Sequence, residues 1–246
     1  MSGNERQKTL LLTGASRGIG HATVRKFSAE GWRVISCSRQ PFSSECPWPG
    51  GEDNHVQLDL SDPADTINAV GVIQERIGGK LDALVNNAGI SPKGPNGERL
   101  NTIDTDLLAW GRVFHVNFFA SVVLARGLIE ELTAAKGAVV NVTSIAGSRV
   151  HPFAGAAYAT SKAALKALTR EMAHDFGPRG VRVNAIAPGE IETSILSPGT
   201  ERIVDGLPLR RLGQPEEVAD VIYFLCTEPS SYVTGTEIEV NAGQHV

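Results

Sequence analysis

A run suited to a buried strand, TLLLT from Thr9 to Thr13, passes without a linker into Gly14-Ala15-Ser16-Arg17-Gly18-Ile19-Gly20 and from there into a helical pattern. A strand, a glycine-rich turn and a helix start in that order leave few folds open. Gly14 permits the tight turn, Gly18 lets the backbone approach an anion, and Gly20 lets the helix pack closely on the sheet, while free N–H groups at the helix end are ready to receive a pyrophosphate. The spacing is G-x-x-x-G-x-G rather than the G-x-G-x-x-G of the general dinucleotide fingerprint.

The rest of the chain repeats the alternation. Strand-type runs fall near 9–13, 33–37, 55–58, 82–86, 138–143, 181–186 and 236–240, with helical patterns between most of them. Such an order predicts an α/β fold, a doubly wound seven-stranded parallel sheet with helices on both faces, whose ligands bind outside the carboxyl ends of the strands. With 246 residues, 41% of them hydrophobic, and no repeat or low-complexity linker, one domain over 1–246 is expected. One crossover departs from the pattern. Residues 40–54 carry Pro41, Pro47, Pro49, Gly50 and Gly51 and leave no room for an amphipathic helix, so an irregular loop is expected, with Trp48 either shielding a bound base or packing on the sheet edge.

Tyr158 and Lys162 stand four residues apart in AAYATSKAALKALTREMA, and Ser144 lies fourteen residues upstream of Tyr158. Helical spacing of four puts two side chains on one face, and an ammonium beside a phenol favours the phenolate. The expectation is that Lys162 lowers the Tyr158 pKa toward the working pH of a general acid/base. Ser144 follows the strand-type run AVVNVT, so its hydroxyl should emerge at the carboxyl edge of the sheet. Asn117 sits within an apolar helical pattern, where an amide needs its hydrogen bonds satisfied; a site role and a purely structural one both remain open for it.

Beyond these local readings, TGASRGIG at 13–20, Asp59, NNAG at 86–89, Asn117, Ser144, YATSK at 158–162 and PGEIET at 188–193 resemble the motifs of the short-chain dehydrogenase/reductase family, in the same order, from about Lys8 to Gly243. The resemblance implies a Rossmann-like domain that moves a hydride between a nicotinamide cofactor and a carbonyl or secondary-alcohol carbon. It also implies a catalytic set of Asn117, Ser144, Tyr158 and Lys162, in which Asn117 holds a water that connects the lysine to solvent and Lys162 bonds the nicotinamide ribose. The implied cofactor contacts are Gly14, Ser16, Arg17, Gly18, Ile19, Gly20, Ser38, Arg39, Asp59, Leu60, Asn87, Ala88, Gly89, Tyr158, Lys162, Pro188, Gly189, Ile191 and Thr193. The second strand ends in Ser38 and Arg39 where an NAD-preferring chain usually places a carboxylate, and Arg17 stands in the glycine-rich turn. These two basic positions resemble those of NADP-preferring members, so NADP(H) is the expected cofactor.

The closing stretch LPLRRLGQPEEVADVIYFLCTEPSSYVTGTEIEV is similar to that of 3-oxoacyl-carrier-protein reductases, which makes such a reductase one alternative. A non-catalytic cofactor-binding protein is another, disfavoured by the intact Ser144, Tyr158 and Lys162. The family resemblance also implies a homodimer or homotetramer, built through the helical patterns at 105–133 and 156–177. A net charge of −4, from 23 basic and 27 acidic residues, with no basic run gives no nucleic-acid footprint. The polar MSGNERQKT start lacks a signal-peptide core. The apolar stretch from Val113, broken by His115 and Asn117, reads as too short for a bilayer. The expectation is a cytoplasmic protein acting on a small carbonyl or alcohol substrate, away from membranes. The six histidines show no metal-ligand spacing, and Ser144 lacks a G-x-S-x-G elbow. No metal is expected, and Cys37, Cys46 and Cys226 read as reduced thiols.

Overall fold

All five residues of the Thr9–Thr13 strand are buried, because helices cover this strand on both faces. The computed structural model describes residues 6–42, 51–193 and 199–246. Seven strands are found among them: β1 (Thr9–Thr13), β2 (Arg33–Ser38), β3 (His55–Gln57), β4 (Ala83–Asn86), β5 (Ala138–Val142), β6 (Arg182–Pro188) and β7 (Glu237–Val240). They form one sheet in the order β3-β2-β1-β4-β5-β6-β7, parallel throughout. The expected α/β doubly wound sheet is therefore present. Its strand order reverses between β1 and β4, and a crevice opens there at the carboxyl ends.

Alternation along the strands divides the core into two layers. Leu11, Ile35, Leu84, Val139 and Val183 face one side, where α2 (Pro63–Ile77) packs with Ile73, α4 (Ala120–Gly127) with Leu124, α5 (Ile129–Ala135) with Leu132 and α6 (Ala156–Phe176) with Met172. Leu10, Leu12, Val34, Val85, Val140 and Ile186 face the other, against Val24 and Phe27 of α1 (Gly18–Ala29) and Val218, Ile222 and Leu225 of the helix Pro215–Cys226.

The helical pattern at 105–133 is not one regular helix. It runs as α3 (Leu107–Phe114), a π-helical turn at His115–Phe119 and then α4, with a break at Leu128 before α5. The helical run Leu107–Gly127, which contains the apolar stretch from Val113, has 21 residues with an 18-residue window of mean hydropathy 1.5, enough to cross a bilayer by length and composition alone. Its inner face is nevertheless built into the domain, with Val113 and Leu124 fully buried. Residues 43–50 of the expected irregular crossover, including Cys46 and Trp48, lie outside the described residues; Cys37 and Cys226 are free thiols.

Candidate active site

The crevice at the strand-order reversal holds a cavity of about 250 Å³, and every cofactor-contact residue named from the sequence lines it, from Gly14 to Thr193. Ser144, Tyr158 and Lys162 line the same cavity; Asn117 does not. Residues that the sequence reading passed over also reach it, among them Cys37, Leu58, Ser61, Ile90, Val142 and Thr143. Each of these adjoins a recognised motif or lies two residues from one, so extending the motifs toward their strands would have found them. Arg112 and Val116 line it as well, from a helix that carried no site signal at those positions.

At the diphosphate end the turn is built by close approach. Gly14 has a φ of +72°, which a side chain rarely adopts. A Cβ on Gly20 would lie 2.1 Å from the Gly14 carbonyl oxygen, so only glycine lets α1 begin where it does. Asn87 clamps this turn from β4: its Nδ2 donates to the carbonyls of Thr13 and Gly14, each at 3.0 Å, while Thr13 Oγ1 accepts the N–H groups of Asn87 and Ala88, both at 3.1 Å. The first turn of α1 carries no acidic residue and its N-cap residue, Arg17, makes no side-chain cap. Its N–H groups and the positive end of the helix dipole are thus left for an anion. A glycine cradle that any Cβ would fill, ending on an uncapped helix, fits a dinucleotide diphosphate.

At the adenosine end Asp59 Oδ1 accepts from Ser61 N at 2.9 Å and Ser61 Oγ at 2.8 Å. These bonds, with Arg39 and Arg112 nearby, hold its carboxyl below the usual aspartate value. The exposed Arg17 and Arg39 make no ion pair among the described residues. Cys37 is buried and its thiol is pushed up to about 12, which leaves it without nucleophilic character.

At the opposite end Tyr158 and Lys162 share a face of α6, as their spacing requires, but their electrostatics differ from the sequence expectation. The phenol of Tyr158 is held above its ordinary value, first by burial and further by the Glu190 carboxylate, against a favourable hydrogen bond from Ser144. Lys162, 2% exposed, is brought down to about 8 by burial. Its Nζ sits 5.7 Å from the Tyr158 ring centroid and donates to the Val142 carbonyl at 2.7 Å, at the end of β5. Among the chain's own groups Lys162 therefore does not lower the tyrosine; desolvation outweighs a cation that sits over the ring and bonds elsewhere. Ser144 takes up the end of β5, and its Oγ accepts the Ala146 N–H at 3.2 Å.

Asn117 lies behind the site rather than in it. Its Oδ1 accepts the Ile90 N–H at 2.8 Å, and its Nδ2 donates to the Ile90 carbonyl at 3.1 Å and to Ser161 Oγ at 3.0 Å. Ser161 in turn donates to the Tyr158 carbonyl at 2.7 Å. This ties α6 to the segment that follows β4, and it uses both N–H donors and one acceptor site of the amide. The π-helical turn carries Asn117 at its centre.

A family model described as enoyl-(acyl carrier protein) reductase matches residues 14–245. "Protein FixR" of Bradyrhizobium diazoefficiens is 60% identical over 242 residues, covering 97% of this chain and 87% of that one. The 3-oxoacyl-[acyl-carrier-protein] reductase FabG of Aquifex aeolicus is 34% identical over 251 residues, covering 96% of each chain. Among solved structures, an oxidoreductase of the short chain dehydrogenase/reductase family from Brucella ovis, in complex with a partially ordered NAD, shares 62% identity at a TM-score of 0.84, covering 96% of this chain and 100% of that one. ElxO with NADP bound shares 29% identity at a TM-score of 0.81, covering 97% of this chain and 98% of that one.

Proposed function

The chain belongs to the short-chain dehydrogenase/reductase family, and on that premise we propose that it is an NADP(H)-dependent oxidoreductase that reduces a carbonyl to a secondary alcohol, with Tyr158 as the general acid. The observation that carries this reading is the convergence of Ser144, Tyr158 and Lys162 on a cavity whose far end is the glycine cradle and open N-terminus of α1. When bound, the nicotinamide supplies the hydride.

The chain's own residues divide the remaining work. The turn from Gly14 to Gly20 and the first N–H groups of α1 receive the diphosphate. Ser38, Arg39 and Arg17 hold a 2′-phosphate, and Asp59 meets the adenine edge. Asn87, Ala88 and Gly89 form the floor, and Pro188, Gly189, Ile191 and Thr193 close over the nicotinamide. Ser144 donates to the substrate oxygen and orients it toward Tyr158. Because burial and Glu190 keep the phenol protonated, it is poised to give a proton to that oxygen as the carbon is reduced. Lys162 secures the end of β5 beside Ser144 and bonds the nicotinamide ribose. Asn117 holds Ile90 and α6 in register through its side chain, and its place in a π-helical turn supports the water-holding role of the family.

The choice of NADP(H) rests on Arg39 after β2 and Arg17 in the glycine-rich turn, two exposed cations that make no ion pair among the described residues. NAD(H) is the second reading, favoured by the NAD found in the Brucella ovis protein. Titration of the purified chain with NADPH and NADH separates the two: tighter NADPH binding, weakened by at least about tenfold in Arg39→Asp, is expected. Equal binding of the two cofactors by the unaltered chain overturns the NADP(H) reading. A 3-oxoacyl-carrier-protein substrate is less well supported: an acidic carrier needs basic residues to dock on, the chain has a net charge of −4, and the exposed Arg179 is paired with Glu130 at 2.8 Å. A cytoplasmic location accords with the free thiols of Cys37 and Cys226.

A further inference from the structure

Five charged side chains line the cavity among the described residues: Arg17, Arg39, Asp59, Lys162 and Arg112. The chemistry above uses the first four. Arg112 belongs to no motif; it stands on α3, and Val116, four residues on in the π-helical turn, reaches the same cavity. Val116 is packed into one apolar cluster with Cys37, Leu58 and Leu60, and all four line the cavity. The adenosine end is therefore an apolar slot flanked by two opposite charges, Asp59 after β3 and Arg112 from α3. Asp59 is already engaged by the N–H and hydroxyl of Ser61. Its carboxyl is held low first by that N–H and also by the Arg39 and Arg112 charges, so it is ionised at neutral pH. It makes no ion pair with Arg112.

Arginines that serve the fold of this chain are tied to acceptors. Arg76 Nη1 donates to the carbonyls of Asp53 at 2.6 Å and His55 at 2.8 Å, and Arg182 Nη1 to that of Leu225 at 2.9 Å. Arg112 is exposed and makes neither an ion pair nor a side-chain hydrogen bond among the described residues. Its guanidinium is a free planar cation beside an apolar slot. Such a slot suits the flat face of an aromatic ring better than an anion, and a guanidinium is attracted to that face. The carboxylate on the other flank suits an amino group on the ring's edge. We propose that Arg112 stacks its guanidinium on the adenine of the cofactor and so secures the adenosine half whether or not a 2′-phosphate is present. The inference rests on the nicotinamide-cofactor reading and gives Arg112 a part separate from the phosphate-holding of Arg39 and Arg17.

Fluorescence titration of the purified chain with NADPH and NADH, and displacement of NADH by ADP-ribose, which has the adenosine and diphosphate but no nicotinamide, test this without turnover. Arg112→Ala is expected to weaken all three ligands by a similar factor, about fivefold or more. Arg112→Lys keeps the charge and loses the plane, and it is expected to recover little of that loss. Because the Arg112 side chain is exposed and unbonded among the described residues, both variants are expected to fold, which thermal melting checks. Unchanged affinity in Arg112→Ala overturns the inference. So does a loss confined to NADPH, which makes Arg112 a further 2′-phosphate ligand, and so does a loss for NADH that ADP-ribose does not share, which moves Arg112 to the nicotinamide half. Full recovery in Arg112→Lys overturns it as well, by showing that charge alone suffices. Each of these leaves the oxidoreductase reading intact. Failure of the unaltered chain to bind either NADPH or NADH sinks the nicotinamide-cofactor reading itself, and the inference with it.

Discussion

Lys162→Met should make the protein more stable and nearly inactive at neutral pH, and the size of the gain follows from where the ammonium sits. Lys162 is 2% exposed and titrates at about 8 rather than 10.5, a difference worth about 3 kcal/mol of disfavoured charge. The sign follows from proton binding. Between pH 8 and 10.5 the unfolded lysine holds its proton and the folded one does not, so stability rises with pH across that window. Below pH 8 the full penalty is present. Methionine is similar in length, carries no charge and removes the penalty, but it also deprives the Val142 carbonyl of its 2.7 Å donor, a loss of about 1–2 kcal/mol. The net expectation at pH 7 is a variant more stable by about 1–2 kcal/mol, or roughly 2–8 °C in Tm for a chain of this size. Urea denaturation of both proteins at equal concentration, at pH 7 and pH 9.5, gives the difference directly. The advantage of the variant should shrink as pH rises past 8 and change sign near the upper end. A variant less stable at pH 7, or a difference that does not move with pH, refutes the reasoning.

Other perturbations probe other parts of the site. Tyr158→Phe removes only the hydroxyl, so cofactor affinity should persist while turnover falls about 10²- to 10⁴-fold; parallel cofactor titration and steady-state kinetics check this, and near-parental turnover would rule out the assigned acid. Gly20→Ala drives a Cβ to 2.1 Å from the Gly14 carbonyl, and the forced shift should lower stability by about 1–3 kcal/mol and abolish cofactor binding, read by thermal melting and fluorescence titration. On the outer face of the long helix Leu107 and Leu108 are 85% and 87% exposed and Phe119 is 47% exposed, an apolar surface that suits a subunit contact. We expect a dimer or tetramer by sedimentation at micromolar concentration, dissociated by Leu107→Glu with Leu108→Glu; a monomeric parent would count against it.

The sheet was legible because a parallel strand covered on both sides reads as an apolar run bounded by turns. The run at 9–13 matches β1 residue for residue, and the apolar run at 138–143 overshoots β5 by one, since Thr143 is as buried as the strand it follows. The cofactor cradle was legible for a different reason: Gly14 and Gly20 are required by backbone approach, which leaves a trace in residue type. The π-helical turn at His115–Phe119 left none. Asn117 at its centre bonds Ile90, twenty-seven residues away in the chain, and a helical periodicity of about 3.6 does not register one inserted residue.

Lys162 shows where spacing stops being sufficient. The i,i+4 rule places two Cβ atoms as neighbours, and α6 honours it, yet a lysine stem can reach past its neighbour to a better acceptor. Val142 ends a central strand, and its carbonyl lies within reach of the buried ammonium, which bonds there and leaves the phenol to burial, to the opposing Ser144 hydrogen bond and to Glu190. Glu190 lies within PGEIET, but its pairing with His151 was not legible, for a related reason. Glu190 and His151 are thirty-nine residues apart, on two loops that meet only because β5 and β6 are adjacent in the sheet and α6 returns the chain between them. In the sequence each looks like a polar residue in a pocket wall. The Tyr158 phenol is raised first by burial, opposed by the Ser144 hydrogen bond and raised further by Glu190, so the acidity of this tyrosine is decided less by the lysine its motif supplies than by the depth at which the fold holds it.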